Sequence, residues 1–196
     1  MQHKNGKLMS LLPITLYGDK ILRKKARKVK EVDIKTIELI KNMFETMRNA
    51  SGIGLAANQI GIDKQIFVID ISQVEGYEKT KPMVFINPEI VEYSKEKDFF
   101  EEGCLSIPDV RADVLRPQQI KIKYCDTDLN EHIIEADDLL ARVAQHEYDH
   151  LLGILFTDYV EETEKGNLKN NLHAIRKRSV EFTYPVSENI DYILRL

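Results

Sequence analysis

The chain contains no tryptophan and only two cysteines, Cys104 and Cys125, among its 196 residues. Two thiols do not make the disulfide framework of a small secreted scaffold. Free thiols in a reducing compartment are the expectation. Nor is there an excess of charge of one sign. The 28 Lys+Arg and 32 Asp+Glu leave a formal charge of −4, which gives no bulk reason to bind DNA or an anionic membrane. No apolar run approaches the roughly 20 residues needed to cross a bilayer. The polar, basic stretch from Met1 to Ser10 lacks the apolar core and small-residue cleavage site of a secretory signal. Met9 is a candidate alternative start. The cytoplasm is therefore the expected location. Internal repeats and low-complexity segments are also missing.

What is present is an ordinary globular composition, 43% apolar and 31% charged, enough for one domain with a real core. Residues 1–20 read as an irregular arm. From Asp33 to Met47 the apolar residues Ile34, Ile37, Ile40, Met43, Phe44 and Met47 recur at three- and four-residue steps. That predicts an amphipathic helix with Asp33 as its N-cap. Strand signals follow at Gln65–Asp70, at Met83–Ile86 with a stop at Asn87-Pro88, and at Ile90–Tyr93. Ile120–Cys125 and His132–Glu135 predict a hairpin across a turn at Asp126–Asn130. Asp137 or Asp138 then caps a helix that Gly153 ends. A basic helix is expected over Leu168–Ser179, and Glu181–Leu196 is unassigned. Strands precede the main helix rather than alternating with helices. The expected class is therefore α+β, with antiparallel sheets packed around a central helix.

That central helix carries His146-Glu147-Tyr148-Asp149-His150, an H-E-x-x-H pattern. Residues four apart share a helix face, so His146 and His150 can grip one metal ion. Glu147 sits beside the first ligand. A metal lowers the pKa of a water greatly, and a carboxylate can take up the proton. A catalytic site of this kind usually has a third protein ligand. Downstream candidates are Asp158, Glu161, Glu162, Glu164 and His173, in a segment that reads as solvated and charged. Upstream, Cys104 stands between Gly103 and an apolar residue, and glycine there lets the backbone approach closely. Cys125, at a strand end, reads as a small buried hydrophobe.

Three segments together resemble the signatures of the peptide deformylases. They are Gly52-Ile53-Gly54-Leu55-Ala56-Ala57-Asn58-Gln59, Glu102-Gly103-Cys104-Leu105-Ser106 and Gln145-His146-Glu147-Tyr148-Asp149-His150, in the family's order. Leu16-Tyr17-Gly18-Asp19-Lys20-Ile21-Leu22 also resembles that family's N-terminal segment. The resemblance runs from about Pro13 to Val160. It implies a catalytic domain over residues 1–160, with 161–196 a polar C-terminal extension of the same domain.

The activity implied is N-terminal processing in protein biosynthesis. The formyl group is removed from the formylmethionine that starts nascent proteins, with release of formate. The implied metal ligands are Cys104, His146 and His150. Fe2+ is the expected native ion, for which Zn2+, Ni2+ or Co2+ can substitute. The implied catalytic groups are Glu147 as general acid/base, and the Gln59 side chain with the Leu105 backbone N–H as donors to the oxyanion. N-formylmethionyl peptides are the expected substrate and the ribosome a transient partner, with no DNA and no membrane. Composition and spacing do not by themselves define this substrate.

For the methionine side chain, the expected walls are Ile53, Leu139 and Val143, and Gly54 is expected to bind substrate as well. Arg111 is expected to meet the peptide backbone, and Ile107–Arg111 to offer a strand edge. For Arg142 two readings stay open: a stem along the pocket with its head in solvent, or a place on the wet face of the helix. Asp149 points away from His150 and is expected to pair with Arg116. Glu102 is expected to orient a ligand or a backbone group of the motif. Two other classes compete. A zincin-type peptidase would need a downstream third ligand, and a non-catalytic metal-binding module on the ribosome would not need Glu147 and Gln59.

Overall fold

A computed structural model describes residues 11–160 and 162–194. The first half of the predicted N-terminal arm and Glu161 lie outside the described residues. Three helices, α1 (Ile34–Asn49), α2 (Asp138–Leu152) and α3 (Glu162–Arg176), accompany seven strands. These strands are β1 (Gly54–Ala56), β2 (Ile66–Ile69), β3 (Met83–Tyr93), β4 (Lys97–Cys104), β5 (Ile107–Pro117), β6 (Gln119–Cys125) and β7 (Glu131–Asp137). Five strands form one sheet in the order β1-β2-β3-β6-β7, while β4 and β5 pair alone. Every pairing between these strands is antiparallel, as the α+β reading requires.

The sheet lies between two helices, and β2 shows why. Its four residues Ile66-Phe67-Val68-Ile69 are all buried. Ile66 and Val68 pack with Leu39, Ile40, Met43 and Met47 of α1. Phe67 and Ile69 pack with Ala141, Val143, Ala144 and Leu151 of α2. A strand covered on both faces needs an unbroken apolar run, because its alternate side chains point to opposite sides. Phe67 and Phe85 stack at 4.5 Å between ring centroids within the α2-facing core. A third cluster, with Leu16, Leu22, Ile107, Val114, Phe156 and Ile175, lies on the β4–β5 side.

Helix α1 begins where its cap predicts: the Asp33 carboxylate accepts from the Thr36 N–H at 2.8 Å. Helix α2 ends at Gly153, whose φ of +79° is the left-handed conformation glycine favours. A side chain there would strike the backbone of Arg23 at 2.8 Å. Asp137 occupies the N-cap position of α2, but its side chain makes no capping bond.

The two strands expected on either side of Asn87-Pro88 are one strand, β3. Asn87 takes a φ of +51°, and the pairing with β6 shifts register between Ile86 and Glu89. A bulge at this place absorbs the missing proline N–H. The Asn87 side chain is tied to Val29, accepting from its N–H at 2.7 Å and donating to its carbonyl at 2.8 Å.

Ile107–Arg111 opens the longer strand β5, which pairs with β4 alone, so its other side is a sheet edge among the described strands. Residues 108–110 have no partner on β4, because the register shifts between Gly103 and Cys104. Helix α3 starts earlier than the predicted basic helix. Its Leu168, Leu172 and Ile175 pack into the third cluster. No helix among the described residues is long and apolar enough to cross a membrane.

Candidate metal centre and active site

Three elements converge on one point. Helix α2 brings His146 and His150, one turn apart, with ring centroids 4.9 Å from each other. The tip of the β4–β5 hairpin brings Cys104, whose Sγ lies 3.2 Å from His150 Nε2. The short 3-10 turn Ala57–Ile60 brings Gln59. The ligand atoms of Cys104, His146 and His150 all lie within 4.8 Å of one another, the one such group among the described residues. One thiolate and two imidazoles suit a borderline divalent ion, and three ligands leave a coordination position open. Asp158 instead caps the turn after α2 and pairs with Arg23 at 2.5 Å.

The orientation of each group has a visible cause. Glu102 receives His146 Nδ1 at 2.9 Å, which turns Nε2 of that ring toward the ligand cluster. Arg116 donates to Glu102 through Nε at 2.6 Å and Nη2 at 3.0 Å, and to Asp149 through Nη1 at 2.6 Å. The expected Asp149–Arg116 pair thus extends to Glu102. Burial opposes ionisation of Glu102, but hydrogen bonds from His146 and Arg116 outweigh it and hold its carboxyl at about 2.

The head of Arg142 is in neither of the two places expected for it. It is buried, donating to Glu102 at 3.3 Å, to the Val114 carbonyl at 2.9 Å and to the Asp98 carboxylate at 2.7 Å. A guanidinium has enough donors to serve two strands at once, which is why the wet-face reading fails.

Gln59 is fixed through its oxygen. The Ala56 N–H donates to Oε1 at 2.8 Å, so Nε2 faces Cys104 Sγ at 3.4 Å and Ser106 Oγ at 3.3 Å. Glu147 is 3% exposed and its Oε2 has no hydrogen-bond partner. Burial is the main cause that pushes its carboxyl up to about 7, close to where a general base at neutral pH works best. Gly54 makes room for it: a Cβ there would collide with Glu147 Oε1 and come within 2.9 Å of its Cδ.

These groups line a cavity of about 520 Å³. Ile53, Gly54, Leu139 and Val143 are in its wall, as are Gln59, Cys104, Leu105, His146 and Glu147. Arg111 stands at the mouth, two-thirds exposed and 3.8 Å from Glu101. The wall also includes Arg142 and residues Glu181 to Tyr184. The sequence reading left that last stretch unassigned. Its hint was the apolar content of the tail, where Phe182, Tyr184, Val186, Ile190, Tyr192 and Ile193 stand among the polar residues.

The α+β fold and this donor set together define a metal-dependent hydrolase. The polypeptide deformylase family model matches residues 11–166. A peptide deformylase of Chlorobium phaeobacteroides is 48% identical over 94% of this chain and all of its own length. One of Salinibacter ruber is 46% identical over 90% of this chain and 94% of its own. Among solved structures, a peptide deformylase of Arabidopsis thaliana in complex with an inhibitor superimposes with a TM-score of 0.80 at 36% identity, covering 91% of this chain and 98% of that one. That of Thermotoga maritima gives 0.72 at 39% identity, over 78% and 99%. This chain belongs to the polypeptide deformylase family.

Proposed function

We propose that this chain removes the formyl group from N-formylmethionyl peptides by hydrolysis, as a metal-dependent amidohydrolase. The observation that carries the reading is an unpartnered, buried Glu147 oxygen and the Gln59 amide in one cavity, beside three ligand atoms that lie within 4.8 Å of one another. Cys104, His146 and His150 would hold the ion. When bound, a divalent ion supplies Lewis acidity, which lowers the pKa of water and polarises a carbonyl.

Glu147 takes the proton of the attacking water and later delivers it to the departing amine. The tetrahedral intermediate places negative charge on the former carbonyl oxygen. The Gln59 NH₂ group and the Leu105 backbone N–H donate to that oxygen. A neutral amide suits this role, because its oxygen is already engaged by Ala56 and it needs no reorganisation as the charge forms. Ile53, Leu139 and Val143 offer the methionine side chain an apolar wall, and Gly54 keeps that wall clear of the base. Arg111 meets the peptide beyond the methionine.

The ion in the cell is ferrous iron in this reading, with nickel, cobalt or zinc as substitutes. Residues 1–160 and the tail form a single catalytic domain that works in the cytoplasm, on chains leaving the ribosome. Chelation should abolish formate release, and Fe2+ or Ni2+ added without air should restore it. The iron form should then lose activity in air faster than the nickel form, because ferrous iron and its thiolate ligand oxidise. Equal half-lives would remove the argument for iron.

A further inference from the structure

The part of the chain with no sequence assignment reaches the reacting centre. Tyr184 donates its hydroxyl to the Leu105 carbonyl at 2.6 Å. Leu105 and Ser106 form the two-residue tip of the β4–β5 hairpin, between the paired Cys104 and Ile107. Such a tip is the least constrained part of a hairpin unless its carbonyls are held. Here both are: Ser106 O accepts from the Tyr17 N–H at 2.8 Å, and Leu105 O accepts from Tyr184.

Tyr184 is itself fixed. Just beyond it, the Pro185 carbonyl accepts from the Ile14 N–H and the Ser187 N–H donates to the Ile14 carbonyl, both at 2.9 Å. Arg178, just before it, donates to Asp19 at 2.6 Å and to the Ser187 carbonyl at 3.0 Å. Asp19 and Ser187 are both about 1% exposed. Farther along, the Leu194 N–H donates to the Gly61 carbonyl at 3.0 Å, beside the turn that carries Gln59. The tail thus braces the segments bearing both proposed oxyanion donors. Burial is the main cause that raises the Tyr184 phenol well above its ordinary value, so the group stays a donor.

We propose that Tyr184 is a positioning residue: by holding the Leu105 carbonyl it fixes the Leu105–Ser106 peptide plane, and so, across the Leu105 Cα, limits where the Leu105 N–H can point. This rests on the deformylase reading of the site. Displacing a donor by a fraction of an ångström weakens it in the transition state more than in the bound substrate, so the effect falls on kcat.

Tyr184→Phe keeps the ring in the wall and removes only the hydroxyl, and Tyr192→Phe, elsewhere in the tail, is the control. On metal-loaded protein with formyl-Met-Ala-Ser, Tyr184→Phe should lower kcat about ten-fold with KM nearly unchanged, and Tyr192→Phe should match wild type. Hydrogen exchange of peptides spanning 104–107, followed without metal, should be faster in Tyr184→Phe and unchanged in Tyr192→Phe. Wild-type kcat together with wild-type exchange in Tyr184→Phe overturns the proposal. So does a loss of kcat matched by lost metal or a lowered melting temperature, since that marks a merely structural contact. A wild-type protein that releases no formate would break the deformylase reading instead, and exchange at the tip would still decide the role of Tyr184.

Discussion

Gly54 has no side chain, and the carboxylate of Glu147 occupies the space one would fill. Adding a methyl group costs little for the strand itself, because its φ is an ordinary one. The cost falls on the base, which must swing away from the cavity. Gly54→Ala should therefore fold and bind metal like wild type while losing roughly 100-fold in kcat, the order expected for a catalytic group about 1 Å out of place. Steady-state kinetics beside metal analysis decides it, and an unchanged kcat would mean that Glu147 does not act from this position. The ligand pattern was legible at this level because H-E-x-x-H encodes its own geometry on a helix. Arg142 was not legible. Nothing in the sequence tells whether a guanidinium one turn before a ligand meets water or a neighbouring hairpin.

The buried apolar residues of helix α2 and of the β4–β5 hairpin belong to different clusters, and a charge network joins the two elements. Arg116 is 4% exposed and spans Glu102 on β4 and Asp149 on α2. Removing it takes the guanidinium from two buried carboxylates and leaves Glu102 to His146 and Arg142 alone. Arg116→Leu should cost about 3–5 kcal/mol, measured by urea unfolding of the metal-free protein. A loss below about 1 kcal/mol would show that the network is not needed to dock the hairpin.

A second tie joins α1 to the end of β2, where Arg48 donates to Asp70 at 2.7 Å. Burial opposes ionisation of Asp70, but hydrogen bonds from Ser72 and Arg48 outweigh it and hold its carboxyl below the ordinary 3.8. A depressed carboxylate stabilises the fold fully above its unfolded value, and that contribution is lost as pH falls through the lower folded value. As pH falls below about 4, wild type should lose stability more steeply than Asp70→Asn in denaturant titrations. Parallel curves would refute this.

The elements best read from sequence are those with one clear signal: the three- and four-residue period of α1 and α2, and the unbroken apolar run of β2. Strand β3 was read as two because Pro88 marks a stop, whereas a bulge and the Asn87–Val29 bonds carry the strand through it. Strand β4, Lys97–Cys104, carried no strand signal because most of its residues are exposed on both faces and no alternation survives.

The first and last described segments meet: Ile14 pairs with Val186, and Arg178 with Asp19. These contacts join residues more than 150 apart in sequence, beyond the reach of any local pattern, so the tail could not be placed by composition alone. Polar content made it look like a solvated extension, yet Val186 and Phe182 pack against the cluster that Cys104 also touches.

Everything about the site converges on one proton acceptor beside a metal-ligand cluster. The most direct test is formate release from formyl-Met-Ala-Ser by protein loaded with Fe2+ or Ni2+ without air, with Glu147→Ala measured alongside. Release by wild type, with a loss of at least about 100-fold in a variant that still holds its metal, is the predicted result. Comparable release by both proteins, or none by a fully loaded wild type, would contradict it.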